Sequence, residues 1–182
     1  MESAFAWIGQ LIEWFGQFFP RWVIIRTTHG GCKFIRGRKV VPLAPGFHFY
    51  WPLTTELEVY PTARQAADLR TQTLMTTDGK TLVVGGLIVY EIQDIVPILA
   101  HTFDPDQTVK DIALSAIHDV LVRMSWVDIR TAQEQGTLNL RLRRRVRREL
   151  SKYGVKVLKT TLTDLAQTRV YKLMQSQSQD GI

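Results

Sequence analysis

Residues 68–92 read DLRTQTLMTTDGKTLVVGGLIVYEI, and this stretch decides the fold. Two strand-like runs, 68–75 and 81–92, flank an Asp-Gly pair, which is a preferred centre for a tight turn between antiparallel strands. The stretch therefore predicts a β-hairpin, the strongest local signal in the chain.

The residues before this hairpin also favour strands. WVIIRTT at 22–28 and CKFIRG at 32–37 are rich in β-favouring side chains, and Gly30 and Gly31 between them predict a second hairpin. ELEVY at 56–60 alternates as a further strand. The first half of the chain is therefore predicted to be β-rich.

The hydrophobic period becomes helical after the hairpin. Residues 104–124 predict a helix, because Asp104 is a good N-cap and Pro105 suits the first helical position. Its apolar face comprises Val109, Ile112, Ala116 and Val120.

A second helix is predicted to begin at about Asp128 or Thr137 and to end at Tyr153, with Gly154 as its C-terminal cap. Its apolar stripe comprises Leu138, Leu142, Val146 and Leu150. Residues 155–165 return as a strand. Strands, then helices, then a closing strand indicate an α+β domain, a mostly antiparallel sheet with helices packed on one side.

Composition limits the classes of function. The 182 residues suit one domain, and the net charge of +6 favours anionic partners such as acidic lipid or nucleic acid. Cys32 is the only cysteine, which excludes an intrachain disulfide and metal motifs built on paired cysteines. The histidines lack metal-ligand spacing, and no phosphate-binding loop or nucleophile elbow occurs. We therefore expect no catalytic, cofactor-binding or metal-binding residues, and a protein that is not an enzyme.

Residues 1–20, MESAFAWIGQLIEWFGQFFP, are amphipathic at helical spacing. A signal peptide is disfavoured because no basic residue precedes Arg21, and a spanning helix would place Glu13 near the bilayer centre at a cost of about 3 kcal/mol. Docking on the protein's own core remains an alternative. We favour a helix lying in the membrane interface. Its membrane-binding residues are Phe5, Trp7, Ile8, Leu11, Ile12, Trp14, Phe15, Phe18 and Phe19.

Basic residues follow this segment closely. Arg21, Lys33, Arg36, Arg38 and Lys39 are expected to meet acidic lipid headgroups, at about 1 kcal/mol for each residue near the surface.

Several short motifs, in order, resemble the SPFH or band 7 family, which includes stomatins, prohibitins, flotillins, HflK and HflC. They are VIIRTTHGGCKFIRGRK, PLAPGFHFYWPL, TTDGKTLVVGGLIVYEIQD and ELSKYGVKVLKTTLTDL, and together they span residues 22–165. The resemblance implies an SPFH domain on a membrane, self-assembling as a scaffold or acting as a regulatory partner of a membrane protease. The sequence lacks the long C-terminal coiled coil common in the family, so we expect a short form.

The second motif, residues 42–53, carries five consecutive ring side chains. Nucleotide stacking and a ligand site at His48 are alternatives. We favour a turn followed by a short strand with one set of side chains facing the core, and a structural, hydrogen-bonded His48. The family resemblance implies a position near the membrane-facing side. For Cys32, a small core residue is favoured over an acylation site.

Six arginines lie in RLRRRVRREL, residues 141–150. A solvated helix face, a contact with acidic residues of a neighbouring copy, and nucleic-acid binding all remain open, the last being disfavoured. Asp119 is one of the acidic residues that these arginines could contact in a neighbouring copy. Candidate oligomer-interface residues are Asp104, Asp106, Asp111, Arg141, Arg144, Arg148, Leu165 and Leu173.

The sequence thus predicts three regions: a membrane-associating helix at 1–20, an SPFH domain at 21–165, and a short helix and tail at 166–182. The expected function is a membrane-associated scaffold that forms large homo-oligomeric rings or cages and organises a membrane microdomain. The expected partners are the bilayer surface, copies of the same chain and a membrane protein client. The expected location is one membrane face, monotopic or peripheral and on the cytoplasmic side.

Overall fold

The computed structural model describes residues 19–168, which form an α+β fold. The strands in this range are β1 (Arg21–Ile25), β2 (His29–Ile35), β3 (Lys39–Leu43), β4 (Gly46–Tyr50), β5 (Thr55–Pro61), β6 (Gln65–Met75), β7 (Thr81–Ile92) and β8 (Val155–Thr168). The helices are α1 (Ile95–His101), α2 (Pro105–Leu121), α3 (Trp126–Glu134) and α4 (Thr137–Leu150), followed by a 3-10 turn (Ser151–Tyr153). Residues 1–18 of the predicted membrane-associating helix lie outside the described residues.

The strands of this range form three antiparallel sheets. β1 pairs with β4 as a two-stranded ribbon. A small sheet has the order β3-β2-β5, and a large sheet has the order β6-β7-β8. The predicted antiparallel character is therefore confirmed, although the strands are divided among three sheets rather than joined in one.

The large sheet contains the hairpin predicted at residues 68–92. β6 and β7 are antiparallel, with Met75 opposite Thr81. The Thr76 N–H donates to the Lys80 carbonyl at 3.0 Å, and Gly79 adopts the left-handed φ of 71° that such a turn favours. The residues of this turn therefore determine where β7, the central strand of the large sheet, begins.

The helices cover one face of the large sheet. Alternate β7 residues are buried beneath them: Leu82, Val84, Ile88, Tyr90 and Ile92. The predicted stripe on α4 is buried against this face: Leu138, Leu142, Val146 and Leu150. Each fully buried side chain of this size contributes about 1.5 to 3 kcal/mol, so this layer is the main source of stability.

Helix boundaries follow identifiable caps. The Asp104 carboxylate accepts from the Gln107 N–H at 3.0 Å and begins α2, as predicted. Of the two starts predicted for the second helix, Thr137 is confirmed and Asp128 is wrong, because Gly136, with a φ of 68°, separates α3 from α4. Helix α4 ends at Leu150, and the 3-10 turn continues to the predicted end at Tyr153. The short elements α1 and β3 were not predicted.

The predicted hairpin between residues 22–28 and 32–37 is wrong. β1 pairs with β4, and Gly30 and Gly31 lie inside β2, which pairs with β3 and β5. A Cβ on Gly31 would lie 2.7 Å from Ile25 Cδ1, and one on Gly30 would lie 2.9 Å from Thr62 Cγ2. These glycines therefore allow close packing rather than a turn.

Gly154 is the predicted cap, and its surroundings also require glycine. It has a φ of 74°, and a Cβ would lie 2.1 Å from the Asp94 carbonyl oxygen. The Gly154 carbonyl accepts from the Gln93 and Asp94 N–H groups at 2.9 and 3.1 Å. The segment before α1 and the start of β8 are therefore joined at this point. β8 itself continues to Thr168, beyond the predicted domain end at residue 165.

Candidate membrane-binding surface

One face of the ribbon presents large apolar side chains to solvent. In the antiparallel register Trp22 lies opposite Phe49 and Ile24 lies opposite Phe47, so these four side chains share a face. They are 70%, 57%, 71% and 54% exposed, in that order. Trp51 occupies the next alternate position and is also exposed. We call these five residues the aromatic face.

The aromatic face is ordered by its own contacts. The Phe47 and Phe49 rings pack edge to face with centroids 4.8 Å apart. Beneath them, the Lys33 ammonium donates to the Phe49 carbonyl and ties the ribbon to the small sheet. A half-buried His48 lies on the opposite face, with its Nε2 2.7 Å from the Ala44 carbonyl oxygen. His48 is therefore hydrogen-bonded, in agreement with the predicted structural role of this residue.

The sequence predicted the short strand but not which side of it would face outwards. We expected one alternating set of ring side chains to face the core, yet the phenylalanine set is open to solvent and the other set is only half buried. The signal was present in the pattern, since apolar residues at alternate positions in both β1 and β4 mark a shared face. The pairing of these two distant strands could not be inferred locally.

Basic side chains lie at one end of the ribbon. The β2–β3 turn carries Arg36 and Arg38, and Lys39 begins β3. The Arg36 N–H donates at 2.8 Å to the carbonyl of Thr54, three residues after Trp51. Arg21 begins the ribbon opposite Tyr50, at the same end. Of the five basic residues expected to meet lipid, only Lys33 is engaged with the backbone of the ribbon.

The acidic residues predicted to contact a neighbouring copy have partners within the same chain. Asp104 caps α2. Asp106 accepts hydrogen bonds from two tyrosines. Asp111 lies 3.4 Å from Arg70, and Asp119 lies 2.9 Å from Arg145. A contact between copies through these carboxylates stays a prediction, and it would compete with intramolecular bonds.

The other predicted interface residues are divided between surface and core. Arg141, Arg144 and Arg148 are exposed on α4. Leu165 is half buried and packs against the core, whereas Leu173 lies outside the described residues. The structure therefore does not bring the predicted interface residues together as one surface within a single chain.

A hydrogen-bonded cluster that the sequence did not predict joins the two larger sheets, and it comprises the buried Tyr90, the half-buried Tyr60 and the exposed Asp106. The hydroxyls of Tyr60 in β5 and Tyr90 in β7 both donate to the Asp106 carboxylate of α2, the second at 3.3 Å. Burial, helped by Asp106, raises the pKa of Tyr90 to about 12 and also raises the pKa of Tyr60. The inward alternation of Tyr90 was the only available signal, and it did not identify its partners.

Cys32 is fully buried in the small sheet. Burial, with the nearby Asp94 and Glu58 carboxylates adding to it, raises the pKa of its thiol to about 11. A thiol reacts as the thiolate, so both its burial and its pKa disfavour acylation. Among residues 19–168, no group of three or more His, Cys, Asp or Glu side chains is placed to hold a metal ion.

These features define an α+β domain with a helix-covered sheet and an exposed aromatic ribbon. The model of the SPFH domain / Band 7 family matches residues 23–179, and the chain belongs to this family. This confirms the resemblance found in the sequence. Band 7 proteins are generally membrane-associated and generally non-catalytic. Within residues 19–168, no helix is long and apolar enough to cross a membrane.

A relative is found among archaeal proteins. The chain is 23% identical over 159 residues to an uncharacterized protein of Archaeoglobus fulgidus, in an alignment covering 87% of this chain. It spans 63% of that protein's length. This similarity assigns no activity to the chain.

Proposed function

We propose that this protein is a non-catalytic scaffold that binds a bilayer surface through its aromatic face and residues 1–18 and assembles with copies of itself. The observation that carries this proposal is the exposure of Trp22, Ile24, Phe47, Phe49 and Trp51 on one side of a two-stranded ribbon. Soluble monomers rarely expose so many adjacent large apolar side chains, and such patches mark interaction surfaces.

The chemistry of the aromatic face suits a membrane interface better than a hydrocarbon core. Tryptophan is enriched at headgroup depth because its ring is apolar while its N–H remains in contact with water. Arg21, Arg36, Arg38 and Lys39 at one end of the ribbon would add attraction to anionic headgroups, at about 1 kcal/mol each near the surface.

The aromatic face is also close in the chain to the amphipathic segment. β1 begins at Arg21, directly after the residues predicted to lie in the membrane interface. A helix at this point and the ribbon would therefore meet the same surface. Two apolar elements bind more firmly than either alone because the second joins at a high effective concentration.

Sedimentation with anionic phospholipid vesicles tests the surface. Trp22→Ser with Phe47→Ser removes two large apolar side chains, each contributing about 1.5 kcal/mol at partial burial, so we expect partitioning to fall by about 100-fold. The matched control is Phe103→Ser with Val127→Ser, which removes exposed apolar side chains elsewhere. Equal partitioning of the ribbon variant and the wild type would refute the proposal.

A regulatory partner of a membrane protease is the alternative within the family, and it would use the same membrane position. Affinity purification from membranes separates the two. A stoichiometric protease that co-purifies with the chain favours the alternative, whereas assemblies containing only this chain favour the scaffold.

A further inference from the structure

The two three-stranded sheets differ in how their edges are protected. In the small sheet, β3 contains Pro42, while β5 ends at Pro61 and carries exposed Glu56 and Glu58. Proline and charge at short edge strands prevent pairing with another chain. The edges of the large sheet are longer, with 11 residues in β6 and 14 in β8, and neither strand contains proline.

The first part of the β8 edge is covered by helix α4. Arg143 donates to the Leu158 carbonyl at 3.3 Å, and the Leu162 N–H donates to the Asn139 side chain at 3.5 Å. These bonds show which backbone groups point away from β7. They also occupy groups that another strand would need.

Within residues 19–168, the last part of β8 has no such cover. From Thr163 to Thr168, no backbone group bonds to a residue outside the large sheet within the described chain. Every residue of this stretch except the half-buried Leu165 is exposed. This stretch contains neither lysine nor proline.

The backbone of the outer edge of β6 is also open, although Leu74 is buried and the Gln72 side chain donates to the Leu114 carbonyl of α2 at 3.3 Å. Among residues 19–168, no backbone group of Gln65–Met75 bonds outside the sheet. A register shift between Leu69 and Gln72 interrupts the strand, which leaves Gln72–Met75 as a regular segment at one end.

The open segments lie at the same level on opposite sides of β7. Met75 and Thr168 both lie opposite Thr81, and Gln72 and Leu165 both lie opposite Val84. Because β6 and β8 are each antiparallel to β7, they run parallel to one another. A rotated copy would therefore bring Leu165–Thr168 against Gln72–Met75 of its neighbour without a shift along the strands.

We propose that the occupant of each open edge is a second copy of this chain, with Leu165–Thr168 of one copy pairing in parallel with Gln72–Met75 of the next. A contact between two different edges of one sheet is heterologous, and it closes into a ring when no axial shift accompanies the rotation. This inference rests on the proposed self-assembly and specifies its contact. The large sheets of neighbouring copies would then form one continuous sheet.

Disulfide trapping tests the contact. Thr73 and Ala166 both lie opposite Val83 and are exposed on the same face. Within one chain they are two strand spacings apart, about 9 to 10 Å, which exceeds the limit of about 7 Å between Cα atoms for a disulfide. Thr73→Cys with Ala166→Cys should therefore link only neighbouring copies. Mild oxidation should give a ladder of multimers on non-reducing gels.

The same sheet provides a matched control. Ala66 and Lys159 also share a face and a level, both lying opposite Val89, but they flank the part of the edge that α4 covers. Ala66→Cys with Lys159→Cys should give no ladder. Met75→Cys with Thr168→Cys is a second pair at the open end and should cross-link like the first. Cys32 is buried and can remain in every variant.

Light scattering of the same detergent-solubilised samples separates the possible failures. A mass many times 20.9 kDa without a ladder from either open-end pair, or with an equal ladder from the control pair, overturns edge pairing and leaves self-assembly standing. A monodisperse monomer overturns both. Circular dichroism of each variant checks that the fold is retained.

Discussion

The ribbon and the large sheet contain similar β-favouring residues, but they place their aromatic side chains in opposite environments. Tyr90 in β7 is 2% exposed, whereas Trp22 in β1 is 70% exposed. The large sheet has a layer of helices on one face, whereas no helix among residues 19–168 covers the outer face of the two-stranded ribbon. Two strands alone cannot enclose a core. The environment of an aromatic residue here depends on the covering layer rather than on the residue type.

The largest effect that we expect concerns the junction between the sheet and its helical layer. Gly154→Ala adds a left-handed strain of about 1 to 2 kcal/mol and a Cβ that collides with the Asp94 carbonyl. We expect the free energy of unfolding, measured by urea denaturation, to fall by about 4 kcal/mol or more.

Gly79→Ala is the matched control for this substitution. Its φ of 71° is close to the 74° of Gly154, but an added Cβ meets nothing within 4 Å. Its cost should be limited to the strain, about 1 to 2 kcal/mol. Equal losses in the two variants would show that the contact with Asp94 is unimportant.

A second prediction compares the covered and uncovered faces directly. Leu142→Ala leaves a cavity beneath α4 and should destabilise the fold by about 2 to 5 kcal/mol. Trp22→Ala on the aromatic face should change stability by no more than about 0.5 kcal/mol, although it removes a larger side chain. Chemical denaturation monitored by circular dichroism measures both. A large loss in Trp22→Ala would mean that the ribbon belongs to the folded core.

A third prediction concerns the tyrosines that join the two larger sheets. The pKa of Tyr90 in the folded state, about 12, lies above the unfolded value of about 10, so the folded state favours the neutral phenol. The resulting stability is fully present below pH 10 and is lost as the pH rises towards 12. Thermal melts across this range should show a decline that is smaller in Tyr90→Phe. If Tyr90→Phe lost stability with rising pH as steeply as the wild type, Tyr90 would not be the source of the decline.

The last prediction concerns Cys32, and it measures the accessibility of the native thiol rather than the stability of the fold. In the native protein at pH 7.5, maleimide labelling should be at least about 100-fold slower than in urea, because the thiol is buried and its pKa is raised to about 11. Labelling rates followed by mass spectrometry measure this. Rapid labelling of the native protein would contradict this and would show that the part of the small sheet around Cys32 opens readily to solvent.

The elements fixed by local chemistry were predictable from sequence. The Asp-Gly turn located β6 and β7, Asp104 located the start of α2, and the leucine stripe located the buried side of α4. Each signal acts within about one turn of helix or one hairpin. These elements therefore form the part of the fold that periodicity and capping specify.

The candidate site depended on pairings that local patterns do not encode. Gly30 and Gly31 suggested a turn because glycine serves both in turns and where backbones pack closely. The partner of β1 is β4, which lies beyond two intervening strands. Without that pairing, the ring side chains of residues 47–51 could not be assigned to the exposed side. The bonds made by Asp106 likewise required the complete fold.

The turn between β6 and β7 is also coupled to helix α3. Its Asp78 carboxylate accepts from the Trp126 N–H at 3.2 Å, at the start of the nine-residue helix α3. A helix of this length is not stable alone in water. One of the N-terminal bonds of α3 is therefore present only while this turn keeps its native position. Amide hydrogen exchange in α3 should consequently report the opening of a turn that lies 48 residues earlier in the chain.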